Sequence, residues 1–190
     1  ISADTINLKN AKSNKYFFAD DSKLEALDLM FSELIEEGNS VGAKLGVRVT
    51  NCPIGLGEPV FDKFDADLAK AIMSINAVKS ISIGNTHNML GLRGSEVRDE
   101  MTQDGFKSNN AGGILGGITN GDLIELEFII KPTSSIKSKG QTINAAGDEV
   151  EVEVTGRHDP CVGIRAVPIA EAMVNSVSYT HLRAHETEEN

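Results

Sequence analysis

Seven residues from Ile124 to Ile130 set Ile124, Leu126, Phe128 and Ile130 against Glu125, Glu127 and Ile129. Alternation with period two builds a strand with one face in a core and the other toward water. The same pattern places Ala43, Leu45, Val47 and Val49 against Lys44, Gly46, Arg48 and Thr50. It recurs where Val150, Val152 and Val154 alternate with three glutamates and a threonine. Val78 to Ile83 reads as a further strand and Thr142-Ile143 as a weaker one. Strands of this half-buried kind belong to sheets with one solvated face, which are commonly antiparallel.

Helical spacing appears between these strands. Leu24, Leu27, Phe31, Leu34 and Ile35 share one face over residues 22 to 37, with Asp21 or Ser22 as cap and Gly38 as stop. A shorter helix is predicted from about Ala66 to Met73, with Asp62 or Asp65 near its start. A last one is predicted from Pro168, a residue suited to the first helical turn, through Ile169 and Met173 to about Val177. Strands and helices do not alternate strictly, so the order argues against a doubly wound parallel sheet and favours an α+β fold.

Composition narrows the function classes. Apolar residues are 40% of 190, enough for one medium domain with a core and against wholesale disorder. Twenty-eight acidic residues against 18 basic ones give a net charge of -10, which argues against nucleic acid as the main partner, since duplex binding neutralises phosphates. A local basic cluster can still hold a small anion. Two cysteines far apart, Cys52 and Cys161, imply no disulfide framework and fit a reducing cytoplasm. No apolar run approaches the ~18 residues that a membrane-spanning helix needs, so no membrane is expected. The first residues, Ile1-Ser2-Ala3-Asp4, read as the interior of a longer protein. Residues 178 to 190 lose the apolar spacing and are expected to be a non-native or disordered tail, leaving 1 to 177 as the domain.

The polar stretch from Gly84 to Gly121 carries Asn109-Asn110-Ala111-Gly112-Gly113-Ile114-Leu115-Gly116-Gly117. Paired glycines let a backbone turn sharply and bring amides close to a ligand, or simply turn a corner. Lys131-Pro132-Thr133-Ser134-Ser135 follows a strand directly. One cation, three hydroxyls and several amides make a plausible anion cradle, the alternative being a solvated turn. In Gly156-Arg157-His158-Asp159-Pro160-Cys161, Arg157 offers a fork for carboxylate or phosphate and Asp159 a proton-transfer group. His158, Asp159 and Cys161 lack metal-ligand spacing, so no metal is expected, and Cys161 reads as a packed side chain. Glu58, Asp62, Asp65 and Asp67 read as charge near a helix start rather than as paired catalytic carboxylates.

Taken in order, these segments resemble the chorismate synthase family, bacterial members most closely. The resemblance rests on Gly57-Glu58-Pro59-Val60-Phe61-Asp62, Asp65-Ala66-Asp67-Leu68-Ala69 and Met73-Ser74-Ile75-Asn76-Ala77-Val78-Lys79. It continues through Asp104-Gly105-Phe106, Ser108-Asn109, Ala111 to Gly117, Lys131 to Ser135, Gly156 to Cys161, and Ala166 to Met173, covering about residues 14 to 177.

The resemblance implies an α+β fold, with helices packed between antiparallel sheets in a β-α-β sandwich, present here as a partial domain. It implies a lyase that converts 5-enolpyruvylshikimate 3-phosphate to chorismate and phosphate by 1,4-anti elimination. Reduced FMN is the implied cofactor, and NADP-linked flavin reduction, an external flavin reductase and a homotetramer are the implied associations. The family's flavin contacts fall on Asn76, Ala77, Gly116, Lys131, Pro132, Thr133, Ser134, Ser135 and Arg157, with Arg157 also facing substrate. Asp159 matches the family aspartate thought to manage the proton on flavin N5. Asn110 stands where many members have histidine, and the family's acid-base histidines belong to an N-terminal half that this sequence does not match. The resemblance therefore implies a fragment inactive by itself. A non-catalytic domain binding flavin or another phosphorylated ligand is the alternative, and a scaffold whose glycine loops only turn corners is a third reading.

Overall fold

The computed structural model describes residues 1–188. In chain order its elements are α1 (Leu8–Ala11), a 3-10 turn (Asp21–Lys23), α2 (Leu24–Glu36), β1 (Ala43–Val49), α3 (Phe64–Met73) and β2 (Val78–Ile83). Two short helices follow, α4 (Thr86–Met89) and α5 (Gly94–Val97), then the paired strands β3 (Met101–Thr102) and β4 (Gly105–Phe106), and β5 (Ile114–Leu115) and β6 (Ile118–Thr119). The chain continues with β7 (Ile124–Ile130), β8 (Gly140–Ile143), β9 (Glu149–Val152) and α6 (Gly163–Glu188). The architecture is α+β with small antiparallel sheets and helices. Two units divide it: residues 1–43 with 131–167, and residue 44 to 130 with 168 onward.

In the first unit, α2 buries Leu27 and Phe31, and Tyr16, Phe18, Leu24, Leu34, Val41 and Ile164 pack around them with the buried Cys161. Ile35, grouped with this face by its spacing, is exposed. Neither Asp21 nor Ser22 caps α2, whose N-cap Lys23 makes no side-chain bond; the capping carboxylate belongs to Asp20, at the start of the preceding 3-10 turn. Asp20 accepts from Ser22 N at 3.1 Å and Ser22 Oγ at 2.6 Å, and its carboxylate also receives Asp4 N at 2.9 Å. That arrangement produces a 3-10 turn before α2. At the other end Asn39 N donates to Leu34 O at 2.8 Å and Gly38 N to Ile35 O at 3.2 Å. Gly38 has φ 66°, so the helix stops in the left-handed turn that glycine favours.

In the second unit β7 is central, in the order β1-β7-β2. Its alternate residues Ile124, Leu126, Phe128 and Ile130 are buried, as the pattern predicts. β2 pairs with it antiparallel, and a bulge between Val78 and Ser80 admits one extra residue. On the water face Lys44 meets Glu127 at 3.1 Å and Arg48 meets Glu125 at 2.8 Å, which explains the charges between the apolar positions. α3 packs on β2 and buries Phe64, Leu68 and Ile72, which recur every four residues on one helix face.

Two expectations change. Ile143 is 67% and Val152 47% exposed, so β8 and β9 form a two-stranded ribbon with open faces rather than a half-buried sheet. Alternation specifies two faces, but only a covering layer buries one. α6 begins at Gly163, five residues before Pro168, and continues past Val177 to Glu188. Among the described residues its buried positions are Gly163, Ala166, Ala170, Val174 and His181, while Ile169 is exposed. Small alanines allow close approach, so the packed face differs from the one marked by large side chains. Of the stretch 178–190, residues 178–188 are helical; Glu189 and Asn190 lie outside the described residues.

Candidate active site

The first unit brings two of the sequence motifs to one short segment, Gly38 to Val41. After β7, Ser40 Oγ donates to Thr133 O at 2.6 Å and Lys137 N donates to Gly38 O at 3.2 Å. Before α6, Val41 N donates to Pro160 O at 2.8 Å. The loop Lys131 to Ser135 and the loop Gly156 to Cys161 therefore flank the same four residues. A Cβ on Gly38 would stand 2.9 Å from Lys137 Cβ, so the close approach also needs glycine there. A cavity of about 370 Å³ opens here, lined by Ile35, Lys137, Gly156, Arg157 and His158.

The electrostatics favour an anion. Lys131, Pro132, Ser134 and Ser135 are exposed and Thr133 is half-buried. Among the described residues, neither Lys131 nor Lys137 is paired with a carboxylate. Arg157 is 83% exposed at its side chain, so its fork is open to a ligand. Asp159, with a side chain 25% exposed, lies between two guanidinium groups: Arg165 Nε at 3.0 Å and Arg157 Nη2 at 3.6 Å. Lys137 and Arg157 thus line one cavity in a chain of charge -10. The connection from β9 to α6 spans residues 153–162, longer than a tight turn. Burial pushes the Cys161 thiol up, as suits a packed side chain and not a nucleophile.

The second unit holds the remaining predicted residues. Gly116 and Gly117, with φ 63° and 89°, form the two-residue turn between β5 and β6, where positive φ at both positions matches the twist of the hairpin. A Cβ on Gly116 would meet nothing within 4 Å, so this turn is open. Phe64 N, at the start of α3, donates to Gly117 O at 2.8 Å. Asn76 and Ala77 follow the other end of α3, and Ala77 adopts φ 69°. A ten-residue helix is about 15 Å long, so the unit does not bring Gly116 and Asn76-Ala77 together. Asp65 and Asp67 lie in the first turn of α3, where carboxylates complement the helix dipole.

Ser40, Lys137 and Arg165 were not singled out from the sequence. Their roles come from contacts across 93 residues in the case of Ser40 and Thr133, and no local pattern carries such a contact. Arg165 follows Asp159 by six residues and precedes Pro168, where the last helix was expected to start.

The model of the chorismate synthase family matches residues 1–182. This chain belongs to the chorismate synthase family. The match reaches five residues past Val177. Among solved structures, one titled "Crystal Structure of Chorismate Synthase" is similar with a TM-score of 0.73 and 28% identity, over 92% of this chain. The chain spans 46% of the length of that chorismate synthase.

Proposed function

We propose that this chain is part of a chorismate synthase that converts 5-enolpyruvylshikimate 3-phosphate to chorismate and phosphate. The observation that carries the reading is the convergence of the Lys131–Ser135 loop and the Gly156–Cys161 loop on Gly38 to Val41. Their cations and hydroxyls fit a phosphate monoester, which both reduced FMN and the substrate carry. The reduced flavin, when bound, supplies the electron density that lets phosphate leave by 1,4-anti elimination.

The chain's own groups divide the remaining work. Lys131, the Thr133, Ser134 and Ser135 hydroxyls and nearby amides bind the flavin's phosphate, with Pro132 shaping the loop. Arg157 holds an anionic group of flavin or substrate. Asp159 exchanges the proton at flavin N5, since a carboxylate transfers protons and is a weak nucleophile. In the second unit, the family resemblance makes Asn76, Ala77 and Gly116 flavin contacts as well. The 46% span supports a further part of the enzyme, with the acid-base histidines, as a condition of turnover. We include in the proposal a homotetramer, a cytoplasmic setting and a flavin reductase as outside partner.

Anaerobic titration of reduced FMN tests the binding half of this reading. Wild-type protein should bind, and Arg157→Ala should bind at least about tenfold more weakly. Equal affinity for both would remove Arg157 from the flavin site.

A further inference from the structure

Between β2 and the glycine-rich turn the chain makes an excursion through α4, α5 and the β3–β4 hairpin. Its return is fastened by one side chain that no motif contains. Asp99 Oδ1 accepts from Ser108 Oγ and Asn110 N, both at 2.7 Å, and Asp99 Oδ2 accepts from Ala111 N at 2.8 Å. Partial burial pushes this carboxyl up, but the Ala111 and Asn110 amides and the Ser108 hydroxyl outweigh it, so it sits below the usual carboxylate value.

The residues it holds lead straight into the turn. Asn85 N donates to Asn110 O at 2.8 Å, and Gly113 N donates to Asn109 Oδ1 at 2.7 Å. Asn109 Nδ2 donates to Leu123 O at 2.7 Å. Gly84 and Gly112 meet so closely that a Cβ on Gly112 would lie 2.4 Å from Gly84 N. Beyond the turn, Gly117 O is fixed by Phe64 N. Gly116 is thus an exposed tip on a frame anchored at both ends, and Asp99 supplies the anchor on the upstream side.

We propose that Asp99 is a positioning residue for ligand binding at Gly116, acting through the amides of Asn110 and Ala111 without touching the ligand itself. This rests on the reading that Gly116 meets the flavin. An ordinary hairpin brace would affect stability alone; a positioning residue affects affinity in protein that is still folded. Asp99→Asn keeps one acceptor oxygen but sets an amide donor against Ala111 N–H. Ser108→Ala removes the hydroxyl bond and leaves both amide bonds.

The test uses the full-length gene product and three readouts: reduced-FMN affinity, turnover at saturating FMN, and hydrogen exchange of the Asn110 and Ala111 amides. Asp99→Asn should speed both exchanges and weaken FMN by about tenfold or more, with turnover at saturating FMN near wild type. Ser108→Ala should stay within about threefold of wild type in affinity. If Asp99→Asn does not fold, Asp99→Glu, which moves the same acceptors outward by one methylene, should weaken FMN in the same direction. Unchanged affinity beside faster exchange would make Asp99 only a brace, and unchanged exchange would remove the anchor; either overturns the proposal. Gly116→Val tests the underlying reading separately: wild-type FMN affinity in that variant would show that the turn does not meet flavin, whatever Asp99 does.

Discussion

Arg165 Nε stands 3.0 Å from Asp159 Oδ2, while Arg157 approaches the opposite oxygen at 3.6 Å. The carboxylate is held in one orientation by groups on both sides of it. Arg165 is anchored on the first turns of α6, whereas Arg157 sits on the loop before Asp159. Asp159→Asn keeps the shape and removes the proton acceptor. In the full-length enzyme it should lower turnover by ~10²–10⁴-fold with reduced-FMN affinity nearly unchanged. A variant that loses turnover only because flavin no longer binds would make Asp159 a binding residue.

Gly112 and Gly116 should respond differently to alanine. At Gly112, with φ 68°, the new Cβ meets backbone at 2.4 Å, so Gly112→Ala should cost about 2 kcal/mol or more. At Gly116, with open space, only the left-handed conformation is penalised, about 1 kcal/mol. Urea unfolding of both variants checks the order, and equal losses would mean that the contact with Gly84 does not limit the loop.

Asp20 gives the first unit a pH signature. Its carboxyl is lowered from 3.8 to about 2, chiefly by the Ser22 hydroxyl and then by the Asp4 amide. A lowered folded-state value means that the stabilisation is fully present above about pH 4 and is lost as the pH falls through 2. Asp20→Asn should be less stable at pH 6 and should show a flatter fall in stability between pH 4 and 2. Parallel curves for the two proteins would contradict the assignment.

The helical end offers a further check. His181 Nε2 lies 3.0 Å from Asp67 Oδ2, and its ring meets Phe64 edge-on at 5.1 Å. These two contacts of His181 together contribute about 1 kcal/mol. His181→Ala, which removes both contacts, should therefore lower Tm by no more than about 4 °C. A loss above about 10 °C would show that His181 carries much of the second unit's stability.

What was legible in the sequence was what local spacing encodes. β1 and β7 appear where alternation placed them, because their less exposed residues recur every two positions, while β2 lies where a strand was read although a bulge breaks its period. The Gly116-Gly117 turn was legible because only paired glycines take two successive positive φ values cheaply. The start of α6 was missed because Pro168 resembles a first-turn proline, while Gly163 to Val167 carry no strong cap signal. α4, α5 and the β3–β4 hairpin were missed because they are two to four residues long and none buries a large side chain. At the site, Arg157 and Asp159 stood out by charge within a motif. Ser40, Lys137 and Asp99 did not, since each works through backbone groups brought near it by the fold.

The most direct test is turnover by the full-length gene product under anaerobic conditions with reduced FMN and 5-enolpyruvylshikimate 3-phosphate, following chorismate and phosphate together. The account predicts equal amounts of both, a requirement for reduced FMN that catalytic amounts satisfy, and loss of turnover in Asp159→Asn. Binding of flavin without formation of chorismate, or turnover that does not depend on reduced flavin, would contradict it.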